Sequence, residues 1–290
     1  MLYTIENDLI RVEIDSLGGE MMSVKTKADD TEYLWQGDPA YWKGRAFHLF
    51  PICGRLYGGE YTYKGKNYPM NIHGFLRASD LTVTEQARDT ITFLCTDSEE
   101  SRRQYPFAFR FFLTYRLVDQ TVEIDFAVEN TDDKTLIFTL GGHPGFGLPL
   151  QDGLAFEDYT VEFAARSPEK LLFSPTCFLT GETEPFALEN GRLAMRHDLF
   201  DQDAIFLQNM GDWVTLRSDK GTKGVTVRCP DMKYLGLWHK PLSDAPYVCL
   251  EPWLGIPSYE GKIDDLETKR DMIHLPAGET FRSGFSITLF

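Results

Sequence analysis

"FRFFLTYRLVDQTVEIDFAVEN", residues 109–130, alternates apolar and polar side chains on both sides of Asp119-Gln120. In its second arm Val122, Ile124, Phe126 and Val128 share one face, while Glu123, Asp125 and Glu129 share the other. A side-chain period of two belongs to a strand, because successive Cβ atoms point to opposite faces of a sheet. Two such arms around a short polar turn predict an antiparallel hairpin with one buried face.

The same period runs outward in both directions. "LIRVEID" (9–15) sets Ile10, Val12 and Ile14 against Arg11, Glu13 and Asp15, and "LTVTEQARDTITFLCT" (81–96) predicts two strands turning at Ala87-Arg88-Asp89. Further strands are expected at "DYTVEFAA" (158–165), "DAIFLQ" (203–208), "DWVTLRS" (212–218), "GVTVRCP" (224–230), "YLGLW" (234–238), "PYVCLEPW" (246–253) and "GFSITLF" (284–290). Helical pattern is confined to short pieces, "PAYWKG" (39–44) and "IDDLETK" (263–269). No Pro- or Ser-rich linker divides the chain and no fixed-period repeat emerges. The expectation is one all-β domain over residues 1–290, a single large antiparallel β-sandwich with few short helices.

Composition narrows the function classes. With 42% hydrophobic and 13% aromatic residues the chain can bury a substantial core. A formal charge of −15 argues against nucleic acid or an anionic membrane surface as partner, since both reward basic patches. The opening Met1-Leu2 runs within a few residues into the charged "ENDLIRVEID", so no secretory leader is expected. The apolar runs fall far short of the roughly 20 residues that cross a bilayer, which points to a cytoplasmic protein, monomeric or homodimeric. Cys53, Cys95, Cys177, Cys229 and Cys249 are scattered, odd in number and without a CxxC, so they are expected reduced and mostly buried.

Nucleotide, zinc-protease and serine-hydrolase motifs are absent: there is no GxGxxG after a strand, no HExxH and no GxSxG. "GGEYTYKGKNY" (58–68) hints at a phosphate loop, but its spacing is wrong and "KGK" fits a hairpin turn. Among six histidines, His48 ("AFHLF") and His274 ("MIHLP") fit ordinary strand positions, and His197 in "MRHDLFDQD" fits a loop. His239 in "GLWHKP" suits a strand end first and a site wall second. His73 in "MNIHGFLR" and His143 in "LGGHPGFG" stand apart because each abuts glycine, which permits unusual dihedrals and leaves room for a ligand.

Three charged residues stand in apolar surroundings. Glu251 interrupts the run Val248, Cys249, Leu250, Pro252, Trp253, where a carboxylate either pairs with a cation or has its pKa raised. Arg55 in "PICGRLYGG" can fork two hydrogen bonds to an oxygen pair, and Asp203 starts an apolar strand. Each also has a plainer reading, as a hairpin-corner carboxylate, a surface ion pair and a turn aspartate. Two imidazoles and a buried carboxylate suit a reaction that moves protons between oxygens without a covalent intermediate. Opening and reclosing a sugar hemiacetal is such a reaction.

On "PICGRLYGG", "YPMNIHGFLR", "GGHPGFGLPL", "LFDQDAIFL", "LGLWHKP" and "APYVCLEPWLG", in that order, the sequence resembles the aldose 1-epimerase (galactose mutarotase-like) family, nearest its LacX-like branch. The resemblance implies a large antiparallel supersandwich and a mutarotase, an isomerase with neither metal nor cofactor. It implies Glu251 as general base at the C1 hydroxyl, His143 as general acid at the ring oxygen, and His73 as a second histidine there. Arg55 and Asp203 match residues that bind sugar hydroxyls, and Trp238 is offered as an aromatic face for the sugar. The galactose-active branch carries an "NHPYFNL"-type segment where this chain has "GGHPGFGLP", which leaves the sugar open. Three alternatives stand beside an aldohexose mutarotase. One is a hexose-6-phosphate mutarotase drawing on basic residues such as Arg77 and Arg45. Another is a non-catalytic sugar-binding protein. The third is a retaining glycosidase, which needs two carboxylates ~5 Å apart.

Overall fold

The computed structural model describes residues 1–165 and 167–290. Phe109–Val118 and Thr121–Asn130 pair antiparallel with Val118 opposite Thr121, so the hairpin turns at Asp119-Gln120 as its alternation predicts. It lies in a nine-stranded sheet between Thr280–Leu289 on one side and Thr90–Thr96 on the other. Thr82–Gln86 and Thr90–Thr96 form the second expected hairpin at that sheet's edge.

A seven-stranded antiparallel sheet faces it, in the spatial order Leu179–Pro185, Glu169–Phe173, Ile205–Gln208, Tyr234–Trp238, Tyr247–Trp253, Gly141–Gly147, Ala46–Leu49. Tyr247–Trp253 is buried along its whole length, because each of its faces meets protein. Val248 and Leu250 join the main core together with Phe111, Phe126 and Phe285 of the nine-stranded sheet. Tyr247, Cys249, Glu251 and Trp253 alternate with them and point to the opposite face. The two inner faces interlock beneath the site, where Gly142 lies so close to the Phe285 ring that a Cβ would sit 2.5 Å from it.

Several expectations change on contact with the structure. Pro39–Gly44 is not helical: the Asp38 carbonyl accepts from the Tyr41 and Trp42 amides and its carboxylate from the Ala40 amide, closing one turn that swings Trp42 inward. Nor is the segment 263–269 a helix. Asp264–Asp265 pairs in parallel with Tyr61 and Thr62, and the buried Asp264 carboxylate is held by Ser258 Oγ at 2.6 Å and Lys269 Nζ at 3.0 Å. The α-helix lies at Glu99–Gln104, started by a reciprocal Ser98–Ser101 capping box. "KGK" is a hairpin turn, with Lys64 and Gly65 both at positive φ. All five cysteines are unpaired thiols, four of them buried. No described helix is long and apolar enough to cross a membrane.

Candidate active site

The antiparallel register that sets Gly145 opposite Cys249 and Gly141 opposite Trp253 brings His143 level with Glu251. Nε2 of His143 stands 3.2 Å from Oε2 of Glu251, and both side chains are almost wholly buried. On the other side of Glu251 the neighbour is Gly236. A Cβ there would lie 3.3 Å from Oε2, so the missing side chain leaves the carboxyl its space. The glycines of Gly141–Gly147 therefore serve a strand: none of them has a positive φ, and close sheet packing replaces the expected unusual dihedrals.

His73 arrives from a loop. Its φ of 66° is left-handed, a conformation costly for a side chain with a Cβ and concentrated at functional positions. The Gly54 amide donates to His73 Nδ1 at 3.2 Å while the His73 amide donates back to the Gly54 carbonyl at 2.9 Å. With Nδ1 accepting, the neutral ring carries its proton on Nε2. Ring centroids of His73 and His143 are 5.4 Å apart, so the two histidines share one site. Gly74 does not make room for a ligand, as the sequence suggested. It has φ 75° and packs against the Phe50 carbonyl, where a Cβ would approach to 2.1 Å.

Trp238 Nε1 donates to Asp203 Oδ1 at 2.9 Å, and Asp203 Oδ2 faces the Arg55 guanidinium at 3.6 Å. Asp203 itself sits at φ 79°. All six residues singled out in the sequence line one cavity of about 300 Å³ at this face of the seven-stranded sheet. That volume lies at the small end of ligand clefts and suits one sugar ring. The cavity also uses Trp42, tilted against His143 with ring centroids 5.1 Å apart, and Phe47, 4.7 Å from the same ring. Trp42 was missed because its segment looked helical; an aromatic in the polar turn Asp38–Gly44 was the available signal. Arg77 lines the cavity, its guanidinium over the Phe47 ring, and makes no ion pair among the described residues. Arg45 is engaged elsewhere, donating to the Met22 carbonyl. A larger open groove of about 910 Å³ crosses the outer face of the nine-stranded sheet, where Arg110, Arg116, Glu123 and Glu129 pair across strands.

Burial controls the proton positions. Removal from water pushes the Glu251 carboxyl well above the usual carboxylate range, with the nearby Asp203 charge adding to it. The same cause lowers His143 to about 3 and holds His73 well below the ordinary imidazole range, with the neighbouring His143 contributing. Geometry alone would call His143 and Glu251 an ion pair, yet burial disfavours both charges. Burial thus favours a neutral carboxyl–imidazole contact over an ion pair at this 3.2 Å distance. Cys249 brings a thiol close: one ligand atom each from His143, Cys249 and Glu251 lie within 4.8 Å of one another. Burial also raises that thiol well above its ordinary value, so an ion there would displace protons from both sulfur and carboxyl.

The remaining histidines stay out of the cavity. His48 is a buried strand residue bonded to the Tyr115 hydroxyl at 2.5 Å, and His274 lies exposed on Ile273–Leu275. His197 occupies a short 3-10 turn, and His239 follows the Tyr234–Trp238 strand as a fully buried residue.

The match to known proteins runs nearly end to end. The family model of aldose 1-epimerases covers residues 1–288. Protein LacX of Lactococcus lactis subsp. lactis is 33% identical over 299 residues, spanning 100% of this chain and 99% of that protein. A galactose mutarotase related enzyme from Lactobacillus acidophilus superposes with a TM-score of 0.95 at 40% identity, over 100% of this chain and 97% of that one. A galactose mutarotase-like protein from Lactobacillus casei gives 0.94 at 31% identity, over the full length of both. With the family model matching nearly the whole length and the fold superposing over all of it, the chain belongs to the aldose 1-epimerase family.

Proposed function

We propose that the protein is a mutarotase that interconverts the α and β anomers of an aldohexose by acid–base ring opening and closure. The observation that carries this reading is the buried His143–Glu251 contact at the wall of a cavity sized for one sugar. Moving the carboxyl proton across its 3.2 Å turns a neutral pair into carboxylate and imidazolium. Glu251 then takes the proton of the C1 hydroxyl, His143 gives its proton to the ring oxygen, and the C1–O5 bond breaks to leave an open-chain aldehyde. Rotation about C1–C2 and the reverse transfers close the other anomer. Acid and base exchange states in each half and both are restored, so no net proton is needed. His73 Nε2–H supplies a neutral donor for the ring-oxygen region, while Arg55 and Asp203 bind hydroxyls and Trp238 offers its ring.

The reading assigns no metal or cofactor step. Both oxygens of Asp203 face donors, which supports a binding role over that of a glycosidase nucleophile. A second reading, a hexose-6-phosphate mutarotase, is favoured by one observation: Arg77, without an ion pair among the described residues, turns its guanidinium into the cavity wall. Polarimetry of freshly dissolved α-anomers of glucose, galactose and their 6-phosphates, with and without EDTA, tests both. Acceleration of a free hexose, unchanged by EDTA, is expected. Acceleration of the 6-phosphates alone selects the second reading, and acceleration of neither class sinks both.

A further inference from the structure

We propose that the pair His197–His239, which touches no part of the cavity, is a positioning clamp that holds the Asp203–Trp238 sugar-binding wall in register. The inference rests on the mutarotase reading for its kinetic consequence but not for its structural one.

Two segments meet behind this wall. One runs from the 3-10 turn His197–Phe200 to Asp203, and the other is the end of the Tyr234–Trp238 strand with His239 after it. They are bonded at two points. At the cavity, Trp238 Nε1 donates to Asp203 Oδ1 at 2.9 Å. Behind it, His197 Nδ1 and His239 Nε2 stand 3.2 Å apart.

The direction of the second bond follows from its surroundings. His239 Nδ1 lies 2.7 Å from the Lys240 carbonyl, which can only accept, so Nδ1 carries the proton. The ring is fully buried, and burial lowers its pKa, so it is neutral with a free lone pair at Nε2. His197 Nδ1–H must then be the donor. Both rings are fixed by aromatic contacts: His197 stacks on Phe156 at 4.1 Å, and His239 lies 4.3 Å from Phe200. A fully buried polar ring bonded to a second, half-buried one, where apolar side chains would pack at lower cost, suggests a task of alignment.

The task is visible at Asp203. Its left-handed φ of 79° is a conformation that persists only where neighbours over-determine it. Its two oxygens set both the Trp238 ring and the Arg55 guanidinium, so a shift of the 197–203 segment would misplace both at once.

The test uses His197→Phe, which keeps a ring on Phe156 but removes the donor, and His197→Gln, whose amide can restore it. His239→Leu removes the partner from the other side. In unliganded protein, the hydrogen exchange of the Trp238 indole N–H is followed by NMR. The Trp253 indole, bonded to the Gly142 carbonyl at 3.2 Å, serves as internal reference. Loss of protection at Trp238 by about tenfold in His197→Phe, unchanged at Trp253 and recovered in His197→Gln, is expected for one ordinary hydrogen bond. With an active sugar, KM should rise by a similar factor while kcat stays within about twofold. Unchanged Trp238 protection in both His197→Phe and His239→Leu would overturn the clamp, whatever the protein does to sugars. So would a kcat loss at constant KM. A wild type that accelerates no anomer would remove the mutarotase reading and leave the exchange result to decide the clamp.

Discussion

His143 and Glu251 face each other across adjacent strands at 3.2 Å, with burial opposing a charge on either. A carboxyl and an imidazole in contact, with burial holding both toward their neutral forms, provide the adjacent acid and base that a reversible ring opening requires. The surrounding cavity places this exchange beside donors for a sugar.

Removal of either partner should separate chemistry from binding. Glu251→Gln and His143→Asn are expected to lower kcat by about a hundredfold or more, the usual worth of a positioned acid or base. Sugar should still quench or shift the fluorescence of the cavity tryptophans Trp42, Trp238 and Trp253. Loss of binding together with turnover would instead mark the pair as a binding element.

Arg55 and Asp203 should show the opposite split. Arg55→Ala is expected to raise KM about tenfold and leave kcat within a few-fold, as for lost uniform binding. An isotherm unchanged by the substitution would remove Arg55 from the binding wall.

Gly236 has a sharper consequence than its size suggests. A methyl there would stand 3.2–3.3 Å from Glu251 Cβ, Cδ and Oε2, so the carboxyl must give by a few tenths of an ångström. Gly236→Ala should lower kcat by about tenfold through that displacement, with a thermal midpoint close to wild type. Wild-type kcat in a folded Gly236→Ala protein would show that the position of the carboxyl is not critical.

Buried neutral histidines make the fold acid-sensitive. His48 and His143 are each lowered to about 3 from an ordinary 6.5. The unfolded chain takes up protons that the folded one refuses, so this stability is complete above 6.5 and is lost as pH falls toward 3. Each such group contributes about 1.4 kcal/mol per pH unit within that window. Glu251 acts in reverse, its raised pKa giving stability that is present below 4.5 and lost as pH rises. Urea unfolding across pH 4–6.5 should therefore show a shallower pH slope for His48→Gln than for wild type, by about one proton. Equal slopes would mean that His48 titrates normally in the fold.

Much of this was legible in the sequence, for reasons that differ by residue. The hairpin at 109–130 was plain because one of its faces meets the core and the other meets water. Glu251 stood out because a strand buried on both faces is otherwise apolar, so a carboxyl there breaks the pattern. Gly141–Gly147 was harder: its glycines suggested unusual dihedrals and room for a ligand, although they are there because Trp253 and Phe285 press on the strand. Trp42 was hidden by a turn too short to carry a period. The His197–His239 bond joins residues 42 apart in the chain, and no local pattern encodes such a contact. The tautomer of His73 likewise depends on the Gly54 amide, 19 residues away.

The central claim is that the His143–Glu251 pair drives anomer exchange. It is tested most directly by two-dimensional NMR exchange between the two anomeric protons of a hexose at equilibrium, with wild type and Glu251→Gln at equal concentration. The account predicts exchange cross-peaks with wild type that fall to the buffer level with Glu251→Gln. Equal cross-peaks with the two proteins, at a rate above buffer, would contradict it.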